Sequence, residues 1–370
     1  MTRASLSVSN YKEVIDVDHN VGNVPSFHFS VVLYAIRKSF IESFCCNRKT
    51  VPKTDMSDKK VSKTLVMIVV IVIVVLLFLW LLEIPRYSGM DKQDVKHLAS
   101  VYRQKPRASS DKVVVTLTTI PSRIEYLAPT IASLLDQSVR VDEISLNIPR
   151  RSRKGHKYIL PKWFEDVGVL KVHRVPKDLG PGTKILPTLK REQKDTIIIA
   201  VDDDNIYAST MIQRLVEEFE HYGKQRAISN FGIRMSKPTK TPSDGFRYKF
   251  PFKYDRIAKS FSGRREVDFL QGCSGFLVTK RMFPKQVHDM EAGPKEAINV
   301  DDMWLSGWLH MNHVPIMQPP MNIRFFPIPY VKSWMNTPSL IAAEEAGGKR
   351  NNKVVIDWFK QKGVRLCCDK

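Results

Sequence analysis

The sequence predicts one transmembrane helix followed by an α/β domain with a mostly parallel sheet flanked by helices. Three observations carry this. Residues 65–82 contain only Leu, Val, Met, Ile, Phe and Trp. Residues 113–118 (VVVTLT) and 196–201 (TIIIAV) are β-branched runs of the length of buried strands. Around them apolar residues recur at helical spacing, and strand–helix alternation of this kind implies a parallel sheet.

The apolar run, about 18 residues, extends roughly 27 Å as a helix, enough to cross the hydrocarbon core. Lys63 and Glu83 bracket it, Pro85 stops it, and Trp80 near one end suits the aromatic belt. It begins too far from Met1 to be a cleaved signal peptide, and no small-residue cleavage site follows. Its N-terminal flank (Arg48, Lys49, Lys53, Lys59, Lys60, Lys63) is more basic than its C-terminal flank (Arg86, Lys92, Lys96, Arg103), which favours a cytoplasmic N-terminus. The expected organisation is a largely disordered tail over 1–63, a transmembrane helix over 64–84, a polar stem over 85–110 and a catalytic-sized domain over 111–370. Within the tail, residues 27–41 are moderately apolar and read as a short interfacial helix.

The chain carries 58 Lys/Arg against 38 Asp/Glu, a net charge of +20. Ten basic and six acidic residues precede Leu65 and Glu83 lies in the span, so the remainder holds 48 basic and 31 acidic residues. Such an excess attracts phosphorylated ligands, anionic lipid or acidic glycan. Nucleic acid is not an expected partner, because no Lys/Arg-rich helix or RNA-binding signature is present. Among the five cysteines there is no C-x-x-C pair, which argues against a structural zinc site. Cys45 and Cys46 precede the span, where acylation is feasible. Cys273, Cys367 and Cys368 permit one disulfide.

After the strand at 113–118, helical spacing marks 129–137 (Ile131, Leu134, Leu135). Strands follow at 143–148 and 169–175, a helix at 185–193 and the strand at 196–201. Ser209 is placed as the N-cap of a helix with Met211, Leu215, Val216 and Phe219 on one face. A further strand covers 227–231. Ligands of such sheets bind outside the carboxyl ends of the strands. Asp202, Asp203 and Asp204 stand at that end of the most apolar strand. Adjacent carboxylates repel, and a hard divalent cation, Mg²⁺ or Mn²⁺, would relieve the repulsion.

An apolar strand ending in D-x-D, in a membrane-anchored α/β domain, resembles the nucleotide-sugar glycosyltransferases of the GT-A fold. The resemblance implies that Asp204 and Asp202 hold Mn²⁺ or Mg²⁺ against the donor diphosphate. It places Thr118, Arg123 and Asp203 on the nucleotide side. Two more segments fit it. Residues 179–184 (LGPGTK) resemble a G-P-x-T-K turn, in which Gly182 and Lys184 approach the donor. Residues 299–307 (NVDDMWLSG) resemble the acidic pair of inverting members, with Asp302 as catalytic base and Asp301 beside it. Residues 272–276 (GCSGF) match the Gly-containing acceptor-side segment that precedes this pair. The implied partners are a nucleotide-sugar donor and a glycan or glycoprotein acceptor. The implied placement is a type II membrane protein with a luminal catalytic domain, in the Golgi or endoplasmic reticulum.

Two other readings use the same residues. In a haloacid-dehalogenase-type phosphatase Asp202 is the nucleophile and Asp204 the acid, but that motif belongs on the first strand of its domain. A catalytically inactive sugar-binding relative would keep the pattern without turnover. His310 and His313, three residues apart on a helix, are further candidate metal ligands. No G-x-S-x-G occurs, so a serine nucleophile is not indicated.

Overall fold

The structure, a computed structural model, describes residues 56–81, 83–90, 93–235, 263–320, 328–330 and 351–366. The apolar stretch at 27–41 and Cys45, Cys46, Cys367 and Cys368 lie outside the described residues. The chain divides into two compact units, Met1–Val70 and Ile71–Lys370. Of the first, residues 56–70 are described, the opening part of helix α1 (Met56–Leu81).

The described side chains of α1 at 66–78 are all apolar and 45–59% exposed. Among the described residues no helix is long and apolar enough to cross a membrane. The transmembrane helix expected at 64–84 is therefore not shown.

In the second unit, part of the segment expected as a stem is built into the domain. It forms helices α2 (Ile84–Gly89) and α3 (Val95–Tyr102), the latter capped by Asp94, which accepts from the Lys96 N–H at 2.9 Å. Tyr87, Met90, Leu98 and Tyr102 are buried in the main core. Arg86 donates to Asp136 at 2.7 Å and to the Tyr207 carbonyl at 2.8 Å. The spacings 87/90 and 98/102 are those of one helical face, a signal hidden by the polar residues between them.

The sheet is built from β1 (Val113–Leu117), β2 (Glu143–Pro149), β3 (Leu170–Val175), β4 (Ile197–Ala200), β6 (Ala227–Ser229), β7 (Arg265–Val267), β8 (Phe276–Thr279) and β9 (Ile316–Gln318). A separate pair joins β5 (Asn205–Ile206) to β10 (Ile328–Pro329). The eight strands lie in the order β3-β2-β1-β4-β8-β6-β9-β7. The first four are mutually parallel, β6 pairs parallel with β9, and β8 and β7 run antiparallel to their neighbours. Every residue of β1 and β4 is buried, as expected of strands covered on both faces. Helices α4 (Ala128–Leu135), α5 (Leu186–Arg191) and α6 (Met211–His221) connect them. The expected cap of α6 is displaced by one residue: Thr210 stands at the N-cap without a side-chain bond, and the Ser209 hydroxyl donates to Glu83 at 2.9 Å.

Strand order reverses at β1. The chain moves outward through β2 and β3, then returns to place β4 on the other side, so a crevice opens between the carboxyl ends of β1 and β4. Helix α7 (Asp301–Met311) starts at this end of the sheet. Helix α8 (Asn351–Gln361) packs on it through Trp304, Trp308, Trp358 and Phe359, with ring centroids 5.6–6.3 Å apart across the two helices. Gly307 makes this approach possible, because a Cβ there would lie 2.1 Å from the Phe359 ring.

Candidate active site

Lys184 is the centre of the site. It ends a 3-10 turn, Gly180–Lys184, held by the Leu179 N–H on Thr183 and the Gly180 N–H on Asp178, each at 2.8 Å. Gly180 has a φ of 61°, and a Cβ there would stand 2.2 Å from the Ile298 carbonyl oxygen, so glycine is required. Beneath the turn, the Thr116 hydroxyl donates to the Lys184 carbonyl. The Asn147 amide donates to the same carbonyl at 3.1 Å, to Thr116 at 3.0 Å and to Thr188 at 2.8 Å. These groups are buried. They anchor the Lys184 backbone from two adjacent strands.

The Lys184 ammonium is 5% exposed and meets three carboxylates: Asp202 at 2.7 Å, Asp301 at 2.9 Å and Asp302 at 3.8 Å. Burial alone would depress it, but Asp202, Asp301 and Asp302 together hold it well above the usual lysine range. Gly272 closes the arrangement. Its N–H faces both oxygens of Asp302 at 3.2 Å, and a Cβ would lie 2.3 Å from the Lys184 Nζ. Burial pushes the Asp302 carboxyl up to about 8, with Lys184 opposing and Asp301 and Asp202 adding to the rise. With 29% of its side chain open, solvent moderates the effect. Asp301 is buried, and its Oδ2 faces Lys184 without hydrogen-bond geometry.

Asp203 and Asp204 turn to a different cation. Arg123, just after β1, places Nη1 3.1 Å from Asp203 and 3.0 Å from Asp204. Thr119 donates to Asp203 at 2.5 Å, and Thr130 of α4 donates to the Asp203 and Asn205 carbonyls at 3.0 and 2.9 Å. Burial raises the Asp203 carboxyl above the usual range despite Arg123 and Thr119. The Asp204 side chain also accepts from Asn205 at 2.8 Å, and its carbonyl accepts from the Tyr330 N–H at 2.7 Å.

Most of the residues singled out in the sequence therefore meet at one place. Asp202, Asp301, Asp302 and Lys184 form one knot, and Arg123, Asp203 and Asp204 the next. Gly182 is buried in the turn; a Cβ there would press on the Leu186 side chain at 3.3 Å and lie at ordinary contact distance, 3.8 Å, from Asp301. Thr118 is engaged elsewhere, donating to the Asn147 carbonyl at 2.7 Å. His310 faces the Asp268 carbonyl at 2.7 Å and His313 is exposed beyond the end of α7, so neither joins the cluster. Cys273 is free and exposed. Thr116, Asn147, Thr119 and the contact role of Gly272 were not read from the sequence. Thr116 is the one polar residue of an otherwise apolar β1, which is the signal that marks it; Asn147 shares β2 with Glu143 and Ser145 and does not stand out.

Among the described residues no group of three or more His, Cys, Asp or Glu forms a ready metal cage. Mg²⁺ is commonly held by one or two carboxylates plus substrate phosphates, so a closed cage is not required. The donor set fits such a cation. Five carboxylates face two basic side chains in these two knots, formally −3 with all acids ionised. Asp202 keeps 29% and Asp204 16% side-chain exposure towards incoming ligand. A diphosphate could approach this surface only with added positive charge.

Residues 116–282 match the family model described as Glycosyl transferase family 2. The match spans rather less than half of the chain, runs from β1 through β8, and supports a glycosyltransferase domain over that stretch. Asp301 and Asp302 lie beyond it. Among solved structures, the chain is similar to S. aureus TarS residues 1–349 in complex with UDP, at 14% identity and a TM-score of 0.33, over 55% of this chain and 57% of that one. A second structure of the same TarS fragment is similar at 12% identity and a TM-score of 0.33, with the same coverage. The chain thus spans a little over half the length of those solved chains. No curated protein matches it.

Two cavities are lined by none of these five acids. One, about 370 Å³, is lined by Tyr102, Arg103, Arg140, Asp142 and Gly168, at the amino ends of β2 and β3. This is the wrong end of a parallel sheet for substrate. The other, about 610 Å³, lies at the carboxyl ends of the same strands.

Proposed function

We propose that the protein transfers a sugar from a nucleoside-diphosphate sugar to a hydroxyl of a glycan or glycoprotein, with inversion, using Asp302 as base. The observation that carries this is the Asp302 carboxylate. It is fixed by the Gly272 N–H, raised towards neutrality, and set at the mouth of the β1/β4 crevice beside the D-x-D turn. A base performs best when its pKa lies near the working pH. Asp302 takes the acceptor proton as that oxygen bonds to the anomeric carbon, while the bond to the diphosphate breaks and its electron pair leaves with the nucleotide. Lys184 holds Asp202, Asp301 and Asp302 in register. Arg123 holds Asp203 and Asp204 at the donor side. A Mg²⁺ or Mn²⁺ held by Asp204 and Asp202 would neutralise charge on the departing diphosphate.

The same proposal includes a single membrane span at 64–84, supported by the exposed apolar side chains of α1 at 66–78. It gives a type II orientation with the domain luminal, in the Golgi or endoplasmic reticulum. Protection of the domain from protease in sealed vesicles checks the orientation, and digestion without detergent would exclude it.

The deciding experiment measures the thermal shift of the detergent-solubilised full chain with a panel of nucleoside diphosphates and nucleotide sugars, with and without Mn²⁺. A ligand that binds only the native state raises the melting temperature by mass action. The expected result is a metal-dependent shift with one nucleotide class, abolished in Asp204→Asn and retained in Asp302→Asn. Nucleotide-sugar turnover should fall by about 10²–10⁴-fold in Asp302→Asn. A fully active Asp302→Asn enzyme would remove the base assignment. A shift without turnover in the native protein would mean a sugar-binding protein.

A further inference from the structure

The second cavity has no part in the chemistry above. It is a broad, open surface hollow of about 610 Å³. It is lined by Arg150, Arg151, Lys157, Tyr158, Arg174 and Pro176, four cations without a carboxylate. Among the described residues none of these four cations makes an ion pair. Their hydrogen bonds run from Arg151 to the Gly155 carbonyl at 3.0 Å and from Arg174 to the Pro149 carbonyl at 3.3 Å. Other surface cations here find acids, such as Arg107 with Asp142 and Arg281 with Asp195. The nearest acids, Asp178 and Asp203, act on Tyr158 from outside the lining but pair with none of the four, so gathering these positive charges around one hollow costs free energy that a bound anion would offset.

The hollow is built on a defined framework. Arg174 lies in β3, in register with Ile148 of β2, and Arg150 follows β2 directly. Arg151 pairs with Lys157 across a small hairpin turned at Gly155, whose φ is 81°, with the Ser152 N–H on the His156 carbonyl at 2.9 Å. Tyr158 is buried at the back and donates to the Thr119 carbonyl at 3.1 Å. Thr119 is the residue that binds Asp203, so one wall is shared with the donor-side acids. Ile159, 80% exposed, and Leu160, 38% exposed, follow Tyr158.

We propose that this pocket is a second anion site, separate from the acidic knots, that takes the phosphate group of a ligand. Three of its four cations are arginines, whose planar forks match phosphate oxygens two at a time. The site itself does not depend on the transferase reading. Under that reading its ligand is a phosphate-bearing acceptor, held one wall away from Asp203.

The test is calorimetric titration of the detergent-solubilised full chain with inorganic pyrophosphate, without divalent metal so that the acidic knots repel the probe. The native protein and Asp204→Asn should bind it equally. The double variant Arg150→Ala/Arg174→Ala, at two exposed positions, should bind at least tenfold more weakly and keep its metal-dependent nucleotide shift. Unchanged pyrophosphate affinity in the double variant overturns the proposal. So does a parallel loss of nucleotide binding, which would place these arginines in the donor site. Absence of any nucleotide shift in the native protein sinks the transferase reading and leaves the pyrophosphate result standing. Competition by dihexanoyl phosphatidic acid tells the two sources of phosphate apart. If it outcompetes inorganic phosphate and is weakened by Ile159→Asn, the phosphate is lipid-borne. Equal competition assigns a free or sugar-borne phosphate.

Discussion

Asp202 and Asp203 are neighbours in the chain, yet they serve two differently built regions. The Arg123 clasp joins two strand ends that the sheet already holds side by side. Thr119 and Arg123 follow β1, Asp203 and Asp204 follow β4, and β1 pairs with β4. The Lys184 knot joins segments that the sheet alone does not hold together: the Gly180–Lys184 turn, the end of β4, the start of α7 and the Gly272 loop. The first is closed by local geometry. The second assembles only when distant parts of the chain have packed. An acidic triplet therefore reads clearly as a site while the roles within it do not.

The largest effect should come from removing the centre of the second region. Lys184→Met leaves Asp202, Asp301 and Asp302 facing one another without a cation. Asp301 is buried, so its charge has no solvent to turn to. Breaking a buried ion pair from one side costs about 3–5 kcal/mol. Denaturant unfolding should show a loss of that size, together with loss of turnover. A loss below about 1 kcal/mol would mean that the three acids are protonated, and that Lys184 is not what holds them.

The next effect is a shift in pH dependence rather than a loss. Asp302 is raised to about 8, so turnover should climb as pH rises through that value, reporting the coupled carboxylates together. Asp301 is one cause of the rise, and Asp301→Asn should move the climb to lower pH. The sign for stability is opposite. A carboxyl whose folded pKa is raised binds its proton more tightly when folded. Its stabilising contribution is complete below the ordinary carboxylate range and is lost as pH rises towards about 8. Asp302→Asn should remove that slope from a plot of unfolding free energy against pH. A profile that ignores both substitutions would detach Asp302 from the reaction and from the knot.

The same contrast explains how much of the molecule the sequence disclosed. Strands β1 and β4 declare themselves because both faces are buried and every position must be apolar or β-branched. The D-x-D turn stands out because charge follows such a strand abruptly. The Gly-Pro-Lys turn and the Asp301–Asp302 pair were recognisable as motifs, but their convergence on one ammonium is a tertiary fact. Lys184 was expected to reach a phosphate. Its Nζ lies instead among three carboxylates, so Lys184 and Arg123 bring positive charge to the aspartates themselves. The helices of residues 84–102 were missed because the described side chains that bury there, Tyr87, Met90, Leu98 and Tyr102, are set among polar residues that suggest a spacer.

The smallest effect tests whether the knot depends on the strands beneath it. Thr116 is isosteric with valine, sits inside β1 and donates to the Lys184 carbonyl, so Thr116→Val deletes a hydroxyl without opening a cavity. The carbonyl keeps its bond from Asn147 at 3.1 Å, and Asn147 keeps its bond to Thr188 at 2.8 Å. No buried group is left wholly unpaired, so the cost should fall at the low end of the ~1–3 kcal/mol range for a broken buried hydrogen bond. Denaturant unfolding measures it. Turnover should change less than twofold, because the Lys184 side chain is fixed by its carboxylates as well as by its backbone. If turnover instead drops as it does in Lys184→Met, the carboxylates do not hold the ammonium by themselves. The polar layer under β1 and β2 would then be part of what sets the site.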